Sequence, residues 1–162
     1  MRIVIEPPGP SDLDALAQIY LDVRRQTMDW MDPATFSLAD FFQHSAGETV
    51  LVARSDRHGI LGFVSLWRPD DFIHMLYVSK PWQGRGVGGA LLRALPDWPD
   101  RPYRLKCLVR NVSAQTFYRH HGFTVVGRGG SAEGAYAEMA LPARSDAAER
   151  DQEKGRKNTT HR

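Results

Sequence analysis

Four glycines fall within six positions in the segment Gln83-Gly84-Arg85-Gly86-Val87-Gly88-Gly89. Such a stretch leaves its backbone N–H groups bare. At the start of a helix those groups and the helix dipole suit a phosphate group. Arg85 adds a fixed positive charge, and Lys80 supplies another nearby. Two more residues are suited to moving protons. Tyr118 is a phenol with an ordinary pKa of about 10, a fitting donor to a leaving group of similar basicity. His74, with an ordinary pKa of about 6.5, is placed for base work near neutral pH. Each has a plain alternative: a flexible turn at the glycines, a packing aromatic at Tyr118, and at His74 a core imidazole or one that shapes a pocket.

Other chemistries lose their support in the same stretches. Gly84, Gly86 and Gly89 fit a dinucleotide fingerprint only in spacing, because Ser79 to Gln83 separate them from the preceding strand and no acid stands about 20 residues on. No Lys-Ser or Lys-Thr follows the glycines, so the Walker pattern is absent. His120 and His121 are adjacent on a helix and point about 100° apart, with no Asp, Glu or Cys spaced to join them as metal ligands, so no metal is expected. Cys107 is the only cysteine, which rules out an intrachain disulfide and a cysteine-rich zinc site. It falls within a strand and reads as buried rather than nucleophilic. There is no G-x-S-x-G elbow for an acyl-enzyme route.

The elements that must position these residues follow from periodicity. Ile3 and Ile5 mark a first strand ended by Pro7-Pro8-Gly9-Pro10. Ser11 and Asp14 form a capping-box pattern before the stripe Leu13, Leu16, Ala17, Tyr20 and Val23, which predicts a helix to about Gln26. A weaker helical signal spans 33–44. Strands are predicted over 48–53, 60–67 and 71–78, then a helix after the glycines stopped by Pro96. A fifth strand over 103–109, a helix over 113–121 closed by Gly122, and strands over 123–126 and 135–141 complete the order βααβββαβαββ. That order predicts an α/β (α+β) domain over 1–142, a mixed sheet with helices on both faces.

The chain has 162 residues, of which 42% are hydrophobic and 25% charged, an ordinary balance for one domain. Six Lys/Arg and four Asp/Glu lie in 143–162, and the remainder carries fifteen of each sign. The net charge of +2 therefore belongs to a segment that reads as a flexible tail, and a globally basic nucleic-acid binder is not supported. No apolar run is long enough for a membrane span, and the first residues turn polar too soon for a signal peptide, so the cytoplasm is the expected location.

The pattern Gln83-x-x-Gly86-x-Gly88, after a strand ending Leu76-Tyr77-Val78 and before Leu91-Leu92, resembles the acetyl-CoA motif of the GNAT N-acetyltransferases. The later run Asn111-x-x-Ala114-x-x-Phe117-Tyr118-x-x-x-Gly122-Phe123 resembles that family's next motif, in the expected order. The resemblance implies a mostly antiparallel sheet whose fourth and fifth strands splay to admit the pantetheine arm of acetyl-CoA. It implies that the backbone of Leu76, Tyr77 and Val78 pairs with the arm, and that the Val78 N–H stabilises the thioester oxyanion. It further implies that Gly84 to Gly89, with Arg85 and Val87 among them, hold the pyrophosphate. Asn111 would bond the arm and Ala114 would let it pass.

Tyr118 sits where the family often places its general acid. His74 matches the second histidine of the arylalkylamine acetyltransferase strand His-x-His-x-Leu-x-Val, with Phe72 in place of the first. Trp30 and Phe36, between the first two helices, and Trp67, at the end of the third strand, are candidates for an aromatic acceptor wall, with core packing as the plain reading. Arg24 and Arg25 could bind an acceptor carboxylate, but read better as a solvated helix end. The implied activity is acetyl transfer from acetyl-CoA to the amine of a small molecule or peptide in a ternary complex. A silent acyl-CoA-binding module is the alternative, and a homodimer is compatible with either.

Overall fold

A computed structural model describes residues 1–142; the expected flexible tail, 143–162, lies outside the described residues. The strands are β1 (Ile3–Glu6), β2 (Thr49–Ser55), β3 (Gly59–Trp67), β4 (Phe72–Val78), β5 (Arg104–Leu108), β6 (Thr124–Ser131) and β7 (Gly134–Ala140). They form one sheet in the order β1-β2-β3-β4-β5-β7-β6, antiparallel throughout except for the parallel pair β4–β5. The helices are α1 (Leu13–Thr27), α2 (Ala39–His44), α3 (Val87–Arg93) and α4 (Val112–His120). No helix among the described residues is long and apolar enough to cross a membrane.

The two faces of the sheet carry separate cores. On one, Val87, Leu91, Leu92 and Leu95 of the α3 segment pack against Leu61, Val64, Leu66, Ile73, Leu105, Ala137 and Met139. Ala114, Phe117 and Tyr118 of α4 join that layer. On the other, Leu16, Ala17, Ile19, Tyr20 and Val23 of α1, with Phe41 of α2, cover Val52, Phe63 and Met75. Being covered on both sides explains the nearly unbroken apolar run of β3.

The structure corrects three local expectations. Asp12, not Ser11 with Asp14, organises the entry to α1: its carboxylate accepts the Gly9 N–H at 2.8 Å and Arg54 Nη2 at 2.6 Å, across a short 3₁₀ turn at Pro10–Asp12. The second helix is only Ala39–His44, because Asp32 and Pro33 start a separate 3₁₀ turn at Pro33–Thr35. β6 continues past 126 to Ser131, through glycines whose poor strand propensity hid the pairing with β7.

A fourth correction concerns Arg24. It is 3% exposed, not solvated. Its guanidinium lies 3.6 Å from the Tyr20 ring centroid, donates to the Tyr20 carbonyl at 3.0 Å and pairs with Asp40 at 3.0 Å. Arg25 bonds the carbonyls of Pro33 and Phe36 at 3.1 and 3.2 Å. The two arginines clamp the irregular segment 28–40 onto α1.

Asp40 is held below the ordinary carboxylate range, first by the Ser37 N–H and then, against the cost of burial, by Arg24. Its stabilisation is present above the unfolded pKa of about 3.9 and is lost as pH falls through the lower folded value. Arg24→Met should cost about 2–3 kcal/mol at pH 7, because Asp40 loses its cation and the Tyr20 carbonyl a donor. Denaturant melts should show that deficit shrinking as the pH falls through the lowered folded pKa of Asp40.

Candidate active site

Two irregularities of β4 open the site. Pairing with β3 passes from Ser65–Met75 directly to Leu66–Ile73, so His74 is the extra residue of a bulge. The bulge switches the strand's parity: Ile73 belongs to the α3/α4 core, whereas Met75, two residues on, belongs to the α1/α2 core. Beyond the bulge β4 has almost no partner on its other side. It meets β5 at one registered pair, Phe72–Arg104, where the Arg104 N–H donates to the Asp71 carbonyl at 3.0 Å.

Strand parity identifies the groups that face the resulting gap. The Ser79 N–H donates to the Leu61 carbonyl at 2.9 Å, so alternation turns the backbones of Leu76 and Val78 away from β3. Gln83 Nε2 donates to the Val78 carbonyl at 2.9 Å. That leaves the N–H and C=O of Leu76 and the N–H of Val78 without a strand partner. Across the gap, bonds from Leu141 to Tyr103 and from Val109 to Ala135 fix the odd residues of β5 toward β7, so Lys106 and Leu108 turn their backbones into the gap. The Leu108 carbonyl is taken by the Asn111 N–H at 3.0 Å and Gln115 Nε2 at 3.2 Å.

The glycine loop divides into two halves. Gly84 and Gly86 adopt left-handed backbone, φ +73° and +86°, with open space where a Cβ would stand. They turn the chain into α3 while leaving the outer side of the loop clear. Gly88 and Gly89 instead face α4: a Cβ on Gly88 would lie 3.0 Å from Phe117, and one on Gly89 3.1 Å from His121. Their lack of a side chain thus serves helix approach, a role that spacing alone did not reveal. Arg85 stacks on Trp82 with its guanidinium carbon 5.2 Å from the ring centroid, and Val87 anchors the loop in the core.

α4 presents the second motif to the same face of the sheet. Asn111 caps it, its Oδ1 accepting the Ala114 N–H at 3.2 Å and Ser113 Oγ at 3.4 Å. Capping fixes the amide orientation and leaves the Nδ2 donor available. Tyr118 packs edge-on to Phe117 and Phe123, and its hydroxyl has no hydrogen-bond partner among the described residues. Burial, with a smaller push from Cys107, raises its pKa well above that of a free phenol, so it is fully protonated at neutral pH. Cys107 is buried and pushed up to about 11, which leaves it an inert thiol.

The opposite face of the bulge holds a constellation that the sequence did not disclose. His74 Nδ1 is hydrogen-bonded to one carboxylate oxygen of Glu48, and Ser65 Oγ to the other. The Glu48 side chain is 7% exposed and that of His74 38%. His44 of α2 lies beside His74, ring centroids 6.4 Å apart, and its Nδ1 meets the Tyr20 hydroxyl at 2.8 Å. Glu48 gave little signal in sequence: it is a single acid at a turn, 26 positions from the histidine it meets.

The expected aromatic wall is only partly present. Trp67 is 40% exposed and, with Phe72, Arg104, Lys106 and Glu138, lines a shallow cleft of about 240 Å³ on this side of the sheet. Phe36 is core instead, 3% exposed among Leu21, Met28 and the Arg24 guanidinium, so it offers no free face. Trp30 is half-buried, donates to the Glu133 carbonyl at 3.0 Å and lies under Arg110, which ties the α1–α2 connection to the β6–β7 turn. Among the described residues no cluster of three or more His, Cys, Asp or Glu could hold a metal ion.

Comparison with known proteins agrees with the fold. Residues 46–125 match the family described as acetyltransferase (GNAT) domain. An aminoglycoside N(6')-acetyltransferase type 1 from Stenotrophomonas maltophilia is 34% identical over 130 residues, covering 74% of this chain and 84% of that protein. Among solved structures, apo YjaB from Escherichia coli superimposes with a TM-score of 0.72 at 20% identity, over 88% of this chain and 99% of its own. The acetyltransferase yncA from Salmonella typhimurium, solved with acetyl-CoA, gives 0.64 at 22% identity, over 87% and 94%. The structural neighbours share the fold, and the aminoglycoside enzyme shares sequence along most of both chains. By that measure the chain belongs to the GNAT superfamily of acetyltransferases.

Proposed function

We propose that the protein transfers an acetyl group from acetyl-CoA to a primary amine by direct attack in a ternary complex. The observation that carries this reading is the β4–β5 gap, with unpaired backbone groups along it, Tyr118 on one face of the sheet and His74 on the other. Leu76 and Val78 offer N–H groups, and Leu76 a C=O, to an extended pantetheine arm. The Val78 N–H is the donor for the thioester oxygen as it gains charge. The turn at Gly84 and Gly86, with Arg85, Gln83 and the start of α3, holds the pyrophosphate. Asn111 Nδ2 reaches the arm, Ala114 leaves it room, and Phe117 backs the loop through Gly88.

His74 takes one proton from the acceptor ammonium, directly or through water. The freed nitrogen lone pair forms the bond to the carbonyl carbon. As the carbon–sulfur bond breaks, Tyr118 gives its proton to the departing thiolate, and the second proton of the amide nitrogen restores the phenol through water. The books close at amide, thiol and one proton released. Desolvation keeps Tyr118 protonated until it is needed, and the same dry surroundings raise the affinity of the thiolate for a proton.

The acceptor approaches from the α1/α2 side, where Trp67 and Phe72 flank the cleft next to His74. The resemblance to an aminoglycoside acetyltransferase places aminoglycosides first in an amine screen, ahead of amino acids, aromatic amines and peptide N-termini.

Acetyl-CoA at about 100 times its dissociation constant should stabilise the protein by about 2.7 kcal/mol, read as a thermal shift. No shift at millimolar ligand would overturn the assignment, and binding without thiol release over the whole amine panel would instead indicate a silent module. Tyr118→Phe should bind acetyl-CoA normally and turn over about 10²–10⁴-fold more slowly. Wild-type turnover in that variant, with chemistry shown to be rate-limiting, would remove the acid role. His74→Ala should slow the reaction and flatten the acidic limb of the rate–pH profile. Persistence of that limb would pass the base role to water or to the ionisation of the amine itself.

A further inference from the structure

We propose that Glu48 is the positioning residue for His74, fixing its tautomer so that Nε2 carries the lone pair that meets the acceptor. This inference rests on His74 being the base of the reaction proposed above. An ionised carboxylate has no proton to give, so a ring nitrogen bonded to it must be the N–H donor. Glu48 presents one oxygen to the Ser65 hydroxyl and the other to His74 Nδ1, and as a carboxylate it can only accept from both. The Nδ1–H tautomer follows, and Nε2 has no partner among the described residues. A free imidazole favours neither nitrogen strongly enough to guarantee that outcome.

The surroundings make the pair effective. The side chain of Glu48 is largely covered while that of His74 is more than a third exposed, so the carboxylate is shielded and the imidazole stays accessible. Ser65 is fully buried on β3, next to the residue pair where the bulge begins, and holds the carboxylate from beneath. Gly47, at φ +76°, turns the chain just before Glu48 and lies under Trp67. The other titratable groups facing His74 are His44 from α2 and, behind it, Tyr20 from α1. Tyr20 is pushed up to about 12 by burial and stays neutral, so among the described residues Glu48 is the only carboxylate in contact with the imidazole.

When His74 takes the ammonium proton on Nε2, the ring becomes a cation held against the Glu48 carboxylate. The carboxylate therefore does two things: it selects the tautomer before the transfer and stabilises the imidazolium after it. Removing its charge should make His74 a weaker base and shift its deprotonation to lower pH.

The test uses the full chain, acetyl-CoA and the best amine from the screen. Glu48→Gln should keep the acetyl-CoA thermal shift, lower kcat/KM by about 10–100-fold and move the acidic limb of the profile to lower pH. The double variant Glu48→Gln/His74→Ala should be no slower than His74→Ala, because the effect of Glu48 passes through the imidazole. A Glu48→Gln limb at the wild-type pH, or losses that multiply in the double variant, would overturn the role of Glu48 while leaving His74 as base. An unimpaired His74→Ala enzyme would remove the base assignment, and this inference with it. Should Glu48→Gln not fold, ¹⁵N shifts of the His74 ring in the wild-type protein decide the matter: the Nδ1–H tautomer is expected, and the Nε2–H tautomer would overturn the proposal.

Discussion

Parallel strands that meet at one residue pair and then part leave hydrogen-bonding groups behind, and the candidate site of this chain is arranged around those of β4 and β5. Backbone groups withdrawn from water need partners, and unpaired ones cost about 1–3 kcal/mol each. The chain satisfies the carbonyls of Val78 and Leu108 with its own side chains, those of Gln83 and Gln115. Between them the gap keeps mostly N–H donors. A gap finished in that way is closed to another strand of the same chain and open to an extended ligand with carbonyl oxygens to place.

The bulge at His74 gives the gap two sides with different work. Without the extra residue Ile73 and Met75 would point the same way, and one of the two cores would lose its contact with β4. With it, both are buried, and the histidine is turned to the face covered by α1 and α2. Tyr118 approaches from the face of α3 and α4, beside the glycine loop. His74 and Tyr118 therefore reach one opening from opposite layers of the fold.

Most of the fold could be read in the sequence because each element has a strong local signature. The stripe in α1, the apolar run of β3 and the Gly122 stop after α4 needed no tertiary information. The glycine loop and the Asn111–Tyr118 run were legible because their work is done by backbone geometry and capping, which constrain residue type at fixed spacing. What was missed is long-range. Arg24 looked like a solvated helix end, because nothing local shows that Asp40 and Phe36 fold back over it. Phe36 looked available for a pocket for the same reason. β6 was cut short because Gly127, Gly129 and Gly130 argue against a strand unless β7 is there to pair with them.

The two sides of the gap are accordingly built by different means. On the side of the glycine loop the groups are backbone N–H donors and a turn that only glycine makes cheaply, so many sequences can supply them if the glycines stay in register. On the side of His74 the cleft depends on side chains brought together from distant segments: Trp67 and Phe72 at the edge, the Trp30 bond to the β6–β7 turn, the arginine clamps on 28–40, and Glu48 under His74. Most of these anchors join segments far apart in sequence through a few side-chain contacts, so one substitution can reshape the cleft without disturbing the gap. Such a chain can keep the gap while the cleft changes, which is why the gap is announced by two short motifs and the cleft has to be read from the side chains around His74.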